Sequence, residues 1–267
     1  MQIRGLSQLI PFYHTRLRRK TPCETVTPSA SLRVLRAYSV LSQSLRSIPT
    51  PRSAVQRLNA TNSDPGTSPS NTSAIAQAIQ IPGITGMENN LVIFEYDKEN
   101  PVDLPEIVDN FSLVNSGDFD IAILAGSQRD IQYKNGIHLW INSFDTENAN
   151  LMILLSFIIS GHPDWKKGVI RIFNICREED LEKTHAAMKE LILAGRLPIT
   201  AKNVKLIVQN PDVSTRTIIS KNSVDAGLTM IGLREELLKR EKGKLFDGYD
   251  RLGTVLFVHS KNQKDIV

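Results

Sequence analysis

The segment "VIRIFNICREEDLEKTHAAMKELILAGRLPITAKNVKLIVQ" (residues 169–209) contains the pattern that decides the fold. Two short runs rich in β-branched residues, "VIRIFNI" and "VKLIVQ", enclose a stretch in which apolar residues recur at helical spacing. That stretch predicts a helix with one apolar face, formed by Leu181, His185, Met188, Leu191 and Ile192, with His185 as a buried core histidine. A strand, a helix and a strand in this order predict two parallel strands joined by a helical crossover.

The same alternation extends in both directions over residues 90–260. Strands are predicted at "LVIFEY" (91–96), "DIAILAG" (120–126), "IHLWIN" (137–142), "VIRIFNI" (169–175), "VKLIVQ" (204–209), "AGLTMIGL" (226–233) and "GTVLFVHS" (253–260). Several are apolar at consecutive positions, as strands covered on both faces are. We therefore predict an α/β fold with a mostly parallel sheet and helices on both faces. One exception is expected at "IQYKNGIHLWI", in which Asn135 and Gly136 predict a tight antiparallel hairpin.

The run "ANLMILLSFIIS" (149–160) is the most apolar part of the chain. It is shorter than the roughly 20 apolar residues that a helix needs to cross a bilayer, so no transmembrane helix is expected. Instead it predicts a core helix, capped by Asp145 and ended by a left-handed Gly161 and the break at Pro163. Because the run is apolar nearly all round, we expect Leu154 to lie in the packed core and the helix to help bury a contact between two copies.

Composition divides the chain near Met87. Residues 1–86 carry ten basic and two acidic side chains, a net charge of +8, together with eight of the 13 prolines, whereas the remainder carries a net charge of −4. This composition predicts a disordered basic Ser/Pro-rich tail over 1–86 and an α/β domain over 87–267. Three interpretations of the tail stay open: a mitochondrial or plastid transit peptide, a linker or interaction arm, and an artefact upstream of a true start at Met87.

The charge and cysteine content exclude several classes of protein. The basic excess lies in the tail, and the domain shows no Arg/Lys stripe with interleaved aromatic residues, so no nucleic-acid partner is expected. Cys23 and Cys176 lie one in each piece, which allows neither a disulfide framework nor a metal cluster and fits a reducing compartment.

Motifs for catalysis are missing from the sequence. There is no GxGxxG, no GxxxxGK[ST] and no GxSxG, and the histidines are not spaced as metal ligands are. The turn "AGSQRD" offers Gly126, Ser127 and Arg129 as a small anion site. Since no catalytic constellation emerges, we expect a binding or regulatory module that is not an enzyme and needs no cofactor or metal; an enzyme of unknown reaction is a third alternative.

The order of five segments resembles that of a known family. The segments are "GIHLWI", "LMILLSFII", "DWKKGVIRIF", "NSVDAGLTMIGL" and "GTVLFVHS". Together they resemble the C-terminal cytosolic domain of cation-chloride cotransporters and their prokaryotic amino-acid-permease relatives. The residues at the matching places are Trp140, Trp165, Arg171, Asp225 and Gly232.

The resemblance implies a regulatory α/β domain, similar in fold to universal stress proteins, that forms a homodimer below a membrane-embedded transporter for ions or amino acids. It implies a location at the cytosolic face without direct membrane insertion, or an organelle if the tail is a transit peptide. The chain departs from the family in lacking the twelve membrane helices and in having "SFDTENAN" after the strand "HLWIN". The alternative is a free-standing nucleotide-binding protein of the universal-stress type, with Asp97, Gly126 and Ser127 as its contacts.

Overall fold

The computed structural model describes residues 31–34, 71–80, 90–142, 145–194 and 200–262. The strands are β1 (Ser31–Val34), β2 (Leu91–Asp97), β3 (Asp120–Gly126), β4 (Ile137–Trp140), β5 (Ile170–Cys176), β6 (Val204–Val208), β7 (Leu228–Gly232) and β8 (Val255–His259). The α-helices are α1 (Asn71–Gln80), α2 (Leu104–Ser116), α3 (Thr146–Ser160), α4 (Leu181–Ala194), α5 (Thr215–Ser223) and α6 (Glu235–Glu241).

The strands form a single sheet in the order β1-β2-β3-β8-β7-β4-β5-β6. Strands β4 to β8 run parallel to one another, and β2 runs parallel to β3. The two groups meet antiparallel where β3 pairs with β8, and β1 pairs antiparallel with β2. The mostly parallel sheet that the sequence predicts is therefore confirmed, as are its seven predicted strands.

Helices cover both faces of the sheet, as predicted. Alternate side chains of the strands point to opposite faces, so Val255 and Phe257 of β8 join one core cluster while Leu256 and Val258 join the other. The first cluster contains apolar residues of α1, α2, α5 and α6, and the second contains those of α3 and α4. This division places the crossovers after β4 and β5 on one face and those after β6 and β7 on the other.

The predicted hairpin at Asn135 and Gly136 is wrong. Asn135 ends a 3-10 turn (Tyr133–Asn135), and both neighbours of β4 run parallel to it. Gly136 has a φ of 79° and its carbonyl accepts hydrogen bonds from the backbone N–H groups of Gly227 (3.0 Å) and Leu228 (3.3 Å). The Asn-Gly pair therefore lies where two segments of the chain come close together, and it does not form a two-residue turn between antiparallel strands.

Helix α3 matches the prediction at its start and departs from it at its end and on its outer face. Asp145 caps the helix, but Gly161 has a φ of −65°, so the stop is right-handed and a 3-10 turn (Pro163–Trp165) follows. Leu154 is 40% exposed, and Phe157 and Ile158 are half-buried. The sheet covers one side of the helix only, which leaves this i, i+3, i+4 face outward and corrects the expectation that Leu154 is in the core.

None of the helices formed by the described residues is long and apolar enough to span a bilayer.

Helix α4 buries a narrower face than the sequence predicts. Thr184 and Met188 are buried, whereas Leu181 and His185 are exposed, so the interpretation of His185 as a core histidine is wrong. The helix packs against β6, an edge strand, and an edge offers little surface to cover a wide stripe. The side chains of residues 191 and 192 lie outside the described part.

Two elements lie within the range for which the sequence predicts no packed core. Helix α1 packs against α2 and buries Ile75 and Ala78 in the same cluster as Phe111, and β1 pairs with the edge of β2. The signal for α1 is the run "AIAQAI" (74–79), whose small apolar face is too short to stand out beside the surrounding serines and prolines. The rest of residues 1–86, and the three interpretations of it, lie outside the described residues.

Candidate functional site

A crevice opens at the carboxyl ends of β4 and β7. The crossover after β4 goes to the face of α3 and the crossover after β7 goes to the face of α6, so neighbouring connections diverge at this point. Ligands of open α/β sheets bind at such switch points. The crevice has a volume of about 310 Å³.

One end of the crevice is polar and is organised by the first turn of α3. The Asp145 carboxylate accepts a hydrogen bond from the backbone N–H of Asn148 (Oδ1, 3.3 Å) and another from its side-chain amide (Oδ2, 2.8 Å). Arg234, at the start of α6, approaches the same Oδ2 with its Nε at 3.4 Å. The positive end of the α3 dipole is therefore already met by a carboxylate of the chain itself.

Asn148 joins three loops at this end. Its amide nitrogen donates to the Leu233 carbonyl after β7 at 3.0 Å, and its amide oxygen accepts from the Ser260 backbone N–H after β8 at 2.6 Å. The side chain is 4% exposed. With both of its polar atoms engaged inside the protein, Asn148 holds the carboxyl ends of β4, β7 and β8 in a fixed arrangement.

The other end of the crevice is aromatic and apolar. Trp140 stacks on Phe173, with ring centroids 4.6 Å apart and planes 16° from parallel, and its indole N–H donates to the Ser223 hydroxyl at 2.9 Å. Tyr249 and Met152 also line this part. A pocket with an apolar wall and a few polar groups at one end is the usual form of a small-molecule site.

A buried hydrogen-bonded network lies behind Trp140. The Arg171 guanidinium donates to Nε2 of His138 at 3.0 Å, so the proton of the neutral ring is on Nδ1, which donates to the Ser223 hydroxyl at 2.9 Å. His138 is 2% exposed. Burial, and then the nearby Arg171 charge, lower the pKa of His138 to about 4. Protonation of His138 would therefore place a second positive charge against the Arg171 guanidinium and remove the acceptor for its hydrogen bond.

This network predicts a loss of stability in mild acid. The pKa of His138 is about 4 in the folded chain and 6.5 in the unfolded chain. The stability that the neutral ring provides is therefore complete above pH 6.5 and is lost as the pH falls towards 4. We expect the free energy of unfolding to fall by about 2 kcal/mol between roughly pH 7.5 and 5 from this group alone. Urea unfolding measures it. His138→Gln should remove this part of the pH dependence, whereas the exposed His185→Gln should keep it; an equal slope in both variants would contradict the assignment.

Solved structures with a similar fold include the cytoplasmic domain of a prokaryotic cation chloride cotransporter. It aligns with 73% of this chain and 72% of its own length, at 15% identity and a TM-score of 0.50. A protein of unknown function from Pseudomonas aeruginosa aligns with 73% and 69% of the two chains (17% identity, TM-score 0.44), and a universal stress protein from Archaeoglobus fulgidus with 68% and 64% (12%, 0.39). At these identities the likeness concerns the fold. No family model and no curated protein matches the sequence.

The residues predicted for the nucleotide-binding alternative lie together, but away from the crevice. Asp97 and Gly126 are paired at the ends of β2 and β3, and Ser127 follows directly. Since Ala125 of β3 pairs with Val255 at the start of β8, this group lies at the amino end of the β4 to β8 strands. The length of a strand, roughly 15 Å, separates it from the crevice at the opposite edge.

The polar groups of this second cluster bond to one another. The Ser127 hydroxyl donates to the Glu99 carboxylate at 3.1 Å, and the Asp97 carboxylate accepts from the Gln128 amide at 2.9 Å and from the Glu99 backbone N–H at 2.9 Å. Asp97 and Glu99 are matched here by Lys98 and Arg129, and the Arg129 guanidinium donates to the Arg251 carbonyl at 2.9 Å. The nucleotide contacts at Asp97, Gly126 and Ser127 stay a prediction.

The residues singled out by the family resemblance have different positions in the fold. Trp140 and Gly232 line the crevice, and Arg171 donates to His138. Trp165 is 2% exposed and packs edge-on against the ring of Tyr133, outside the crevice. Asp225 is exposed at the opposite edge of the sheet.

Sequence reasoning did not find Asn148 and Arg234, the two residues that complete the polar end. Both lie just after predicted strands, in "SFDTENAN" and "GLREE", and carboxyl ends of parallel strands meet at one edge. That positional rule is the signal that would have identified them. Cys176 is buried, and the described residues contain no group of three or more His, Cys, Asp or Glu side chains that could hold a metal.

Proposed function

We propose that this chain is a non-catalytic regulatory and dimerisation module, which acts from the cytosolic side on a membrane-embedded transporter of ions, such as chloride and its companion cations, or of amino acids. The shared fold with the cytoplasmic domain of a cation chloride cotransporter, over nearly three quarters of each chain, supports this class of module. In this function the crevice holds the loops after β4, β7 and β8 together and binds no nucleotide, and we call it the regulatory joint.

The observation that carries the proposal is the position of the Asp145 carboxylate. Proteins that bind nucleotides at this kind of crevice place a phosphate at the helix N-terminus, where backbone N–H groups and the helix dipole favour an anion. Here Asp145 occupies that position and bonds to Asn148 and Arg234. A phosphate would meet a like charge and would have to displace both partners, which disfavours the nucleotide-binding alternative.

The outer face of α3 supports self-association. Leu154 is 40% exposed, and Phe157 and Ile158 beside it are half-buried, which leaves a contiguous apolar face on a rigid helix. Two copies of α3 packed about a two-fold axis would cover this face in both, because a two-fold contact joins the same surface of each copy.

A thermal-shift measurement on the full chain tests the proposal against its alternative. Since a regulatory joint has no nucleotide site, millimolar ATP or AMP should leave the melting temperature unchanged. A nucleotide bound with micromolar affinity would add about 4 kcal/mol at thousandfold excess, which is roughly a 10 °C rise for a domain of this size.

Two variants identify the site if a shift appears. Gly126→Val places a side chain at the predicted loop cluster, where the new Cβ would lie 3.6 Å from the Tyr96 carbonyl, and Gly232→Val places one in the crevice, 3.5 Å from the Asp145 carboxylate. A nucleotide-dependent rise that Gly126→Val alone abolishes would establish the alternative at the second cluster. A rise abolished by Gly232→Val alone would place the nucleotide in the crevice and would contradict the regulatory function proposed for it.

A further inference from the structure

Basic side chains are concentrated at the amino ends of β4, β5 and β6. The turns that precede β4, β5 and β6 (131–136, 161–169 and 200–203) form what we term the amino edge, and Asp164 is their single carboxylate. Five exposed basic side chains lie in these turns or in the first residues of the strand that follows: Lys134, Lys166, Lys167, Arg171 and Lys202. These three turns are positive although residues 87–267 carry a net charge of −4, whereas the turns before β7 and β8 carry Asp225, Asp247 and Asp250.

The opposite edge, where β4 to β7 end, is acidic. Its acidic residues are Asp145, Glu147, Glu178, Glu179, Asp180, Glu182, Asp212, Glu235 and Glu236, against the basic residues Arg177, Lys183 and Arg234. Helices begin at this edge, and carboxylates in the first turn of a helix are stabilised by its dipole. The part of the sheet formed by β4, β5 and β6 is therefore basic at its amino ends and acidic at its carboxyl ends.

The turns of the amino edge form one rigid platform. The rings of Tyr133 and Trp165 meet edge to face with centroids 5.0 Å apart, which packs the turn before β4 against the turn before β5. The Ile137 backbone N–H donates to the Val169 carbonyl at 3.1 Å, and the Asn203 amide donates to the Ile170 carbonyl at 3.0 Å. The lysines on these turns are thus held in one surface.

Two aliphatic side chains project from the same edge. Val169 is 46% exposed between Lys167 and Arg171, and Val224 is 47% exposed beside Asp225, whose carbonyl accepts from the Asn135 side chain at 2.6 Å. An aliphatic side chain beside basic ones can reach below lipid headgroups while the basic groups contact lipid phosphates. No described helix and no exposed aromatic ring projects from this edge to read a nucleic acid.

We propose that the amino edge docks on an anionic membrane surface. The lysines contact lipid phosphate and carboxylate groups, and Val169 and Val224 reach the boundary between headgroups and acyl chains. This is surface binding without insertion of a helix. It rests on the charge distribution and not on the proposed regulatory function, so a soluble transporter-free chain should also bind.

Vesicle co-sedimentation of the full chain tests this docking at physiological salt. We expect binding to phosphatidylcholine vesicles that contain about 30% phosphatidylserine, and little binding to phosphatidylcholine alone. Each basic residue near such a surface contributes about a fivefold gain in affinity, so Lys166→Glu with Lys167→Glu should lower affinity at least about 25-fold. The basic residues upstream of residue 87 are present in every variant and contribute equally.

Matched control variants make the same kinds of substitution at the opposite edge. Arg177→Glu with Lys183→Glu alters the net charge by the same amount and should change affinity by less than about twofold, because these side chains lie a strand length, roughly 15 Å, from the membrane. Val169→Ser should weaken binding several-fold, whereas Val208→Ser, at 44% exposure on the end of β6, should not. Equal losses in both charge variants, equal binding to uncharged vesicles, or equally tight binding of a short duplex DNA would overturn the proposal.

Discussion

Ile153→Asp is expected to unfold the chain, and Leu154→Asp, one residue further along the same helix, is expected to leave it folded. Ile153 is fully buried in the cluster between α3 and the sheet. An unpaired carboxylate there has no water and no partner, which costs several kcal/mol out of a total stability of about 5 to 15 kcal/mol. Leu154 is 40% exposed, so its carboxylate would remain hydrated. Circular dichroism and urea unfolding of the two variants measure the difference.

The Leu154→Asp variant also tests self-association. A charge on the outer face of α3 would be repelled by its symmetry mate, so we expect the variant to be a folded monomer at concentrations at which the wild type is a dimer. Sedimentation velocity distinguishes these states. Unfolding of Leu154→Asp would show that the outer face of α3 is covered within one copy, and a monomeric wild type would reject the dimer contact.

Gly136→Ala is expected to destabilise the domain by at least about 3 kcal/mol. A Cβ at this position would lie 2.0 Å from the carbonyl oxygen and 2.5 Å from the backbone nitrogen of Val169, and the φ of 79° disfavours any L side chain. Neither obstacle is the end of a flexible side chain, so β4 and β5 would have to separate at their amino ends. Denaturant unfolding of the wild type and the variant gives the loss directly.

Gly243→Ala is the matched control. No heavy atom lies within 4 Å of a Cβ built at Gly243, which is in the 3-10 turn after α6. We expect its unfolding free energy to stay within about 0.5 kcal/mol of the wild type. If Gly136→Ala instead cost less than about 1 kcal/mol, the residue would occupy an open turn of the kind that the sequence alone suggests, and the close approach of Val169 would be wrong.

Local patterns were sufficient for most of the elements. The seven predicted strands of residues 91–260 are all present because a β-branched or apolar run bounded by turn residues is a short-range signal. Helix α2 has the same kind of signal in Leu104, Ile107, Phe111 and Val114, which are buried at helical spacing. Helix α5 is mostly polar, with Ile218 and Ile219 as its main apolar residues, and its sequence favours no element strongly.

The candidate site was predictable in location but not in composition. Parallel strands have their carboxyl ends at one edge, so the loops after "HLWIN" and "TMIG" were expected at the same edge, and the strand order then makes them neighbours. Which side chains fill the crevice depends on the relative rotation of α3 and α6, and that rotation brings Arg234 within 3.4 Å of Asp145. The nucleotide contacts proposed after β2 and β3 lie at the other edge, because β3 pairs antiparallel with β8 and its carboxyl end therefore lies beside the amino end of β8.

The sequence by itself determined that this chain builds an α/β sheet with a parallel majority, because apolar periodicity and turn residues act over a few positions. Tertiary structure alone decided that Leu154 faces outward, that Gly136 lies against Val169, and that the basic turns before β4, β5 and β6 lie side by side. These properties depend on which distant segments become neighbours. That choice is made by the burial of whole faces of helices and strands, and no local stretch of sequence contains it.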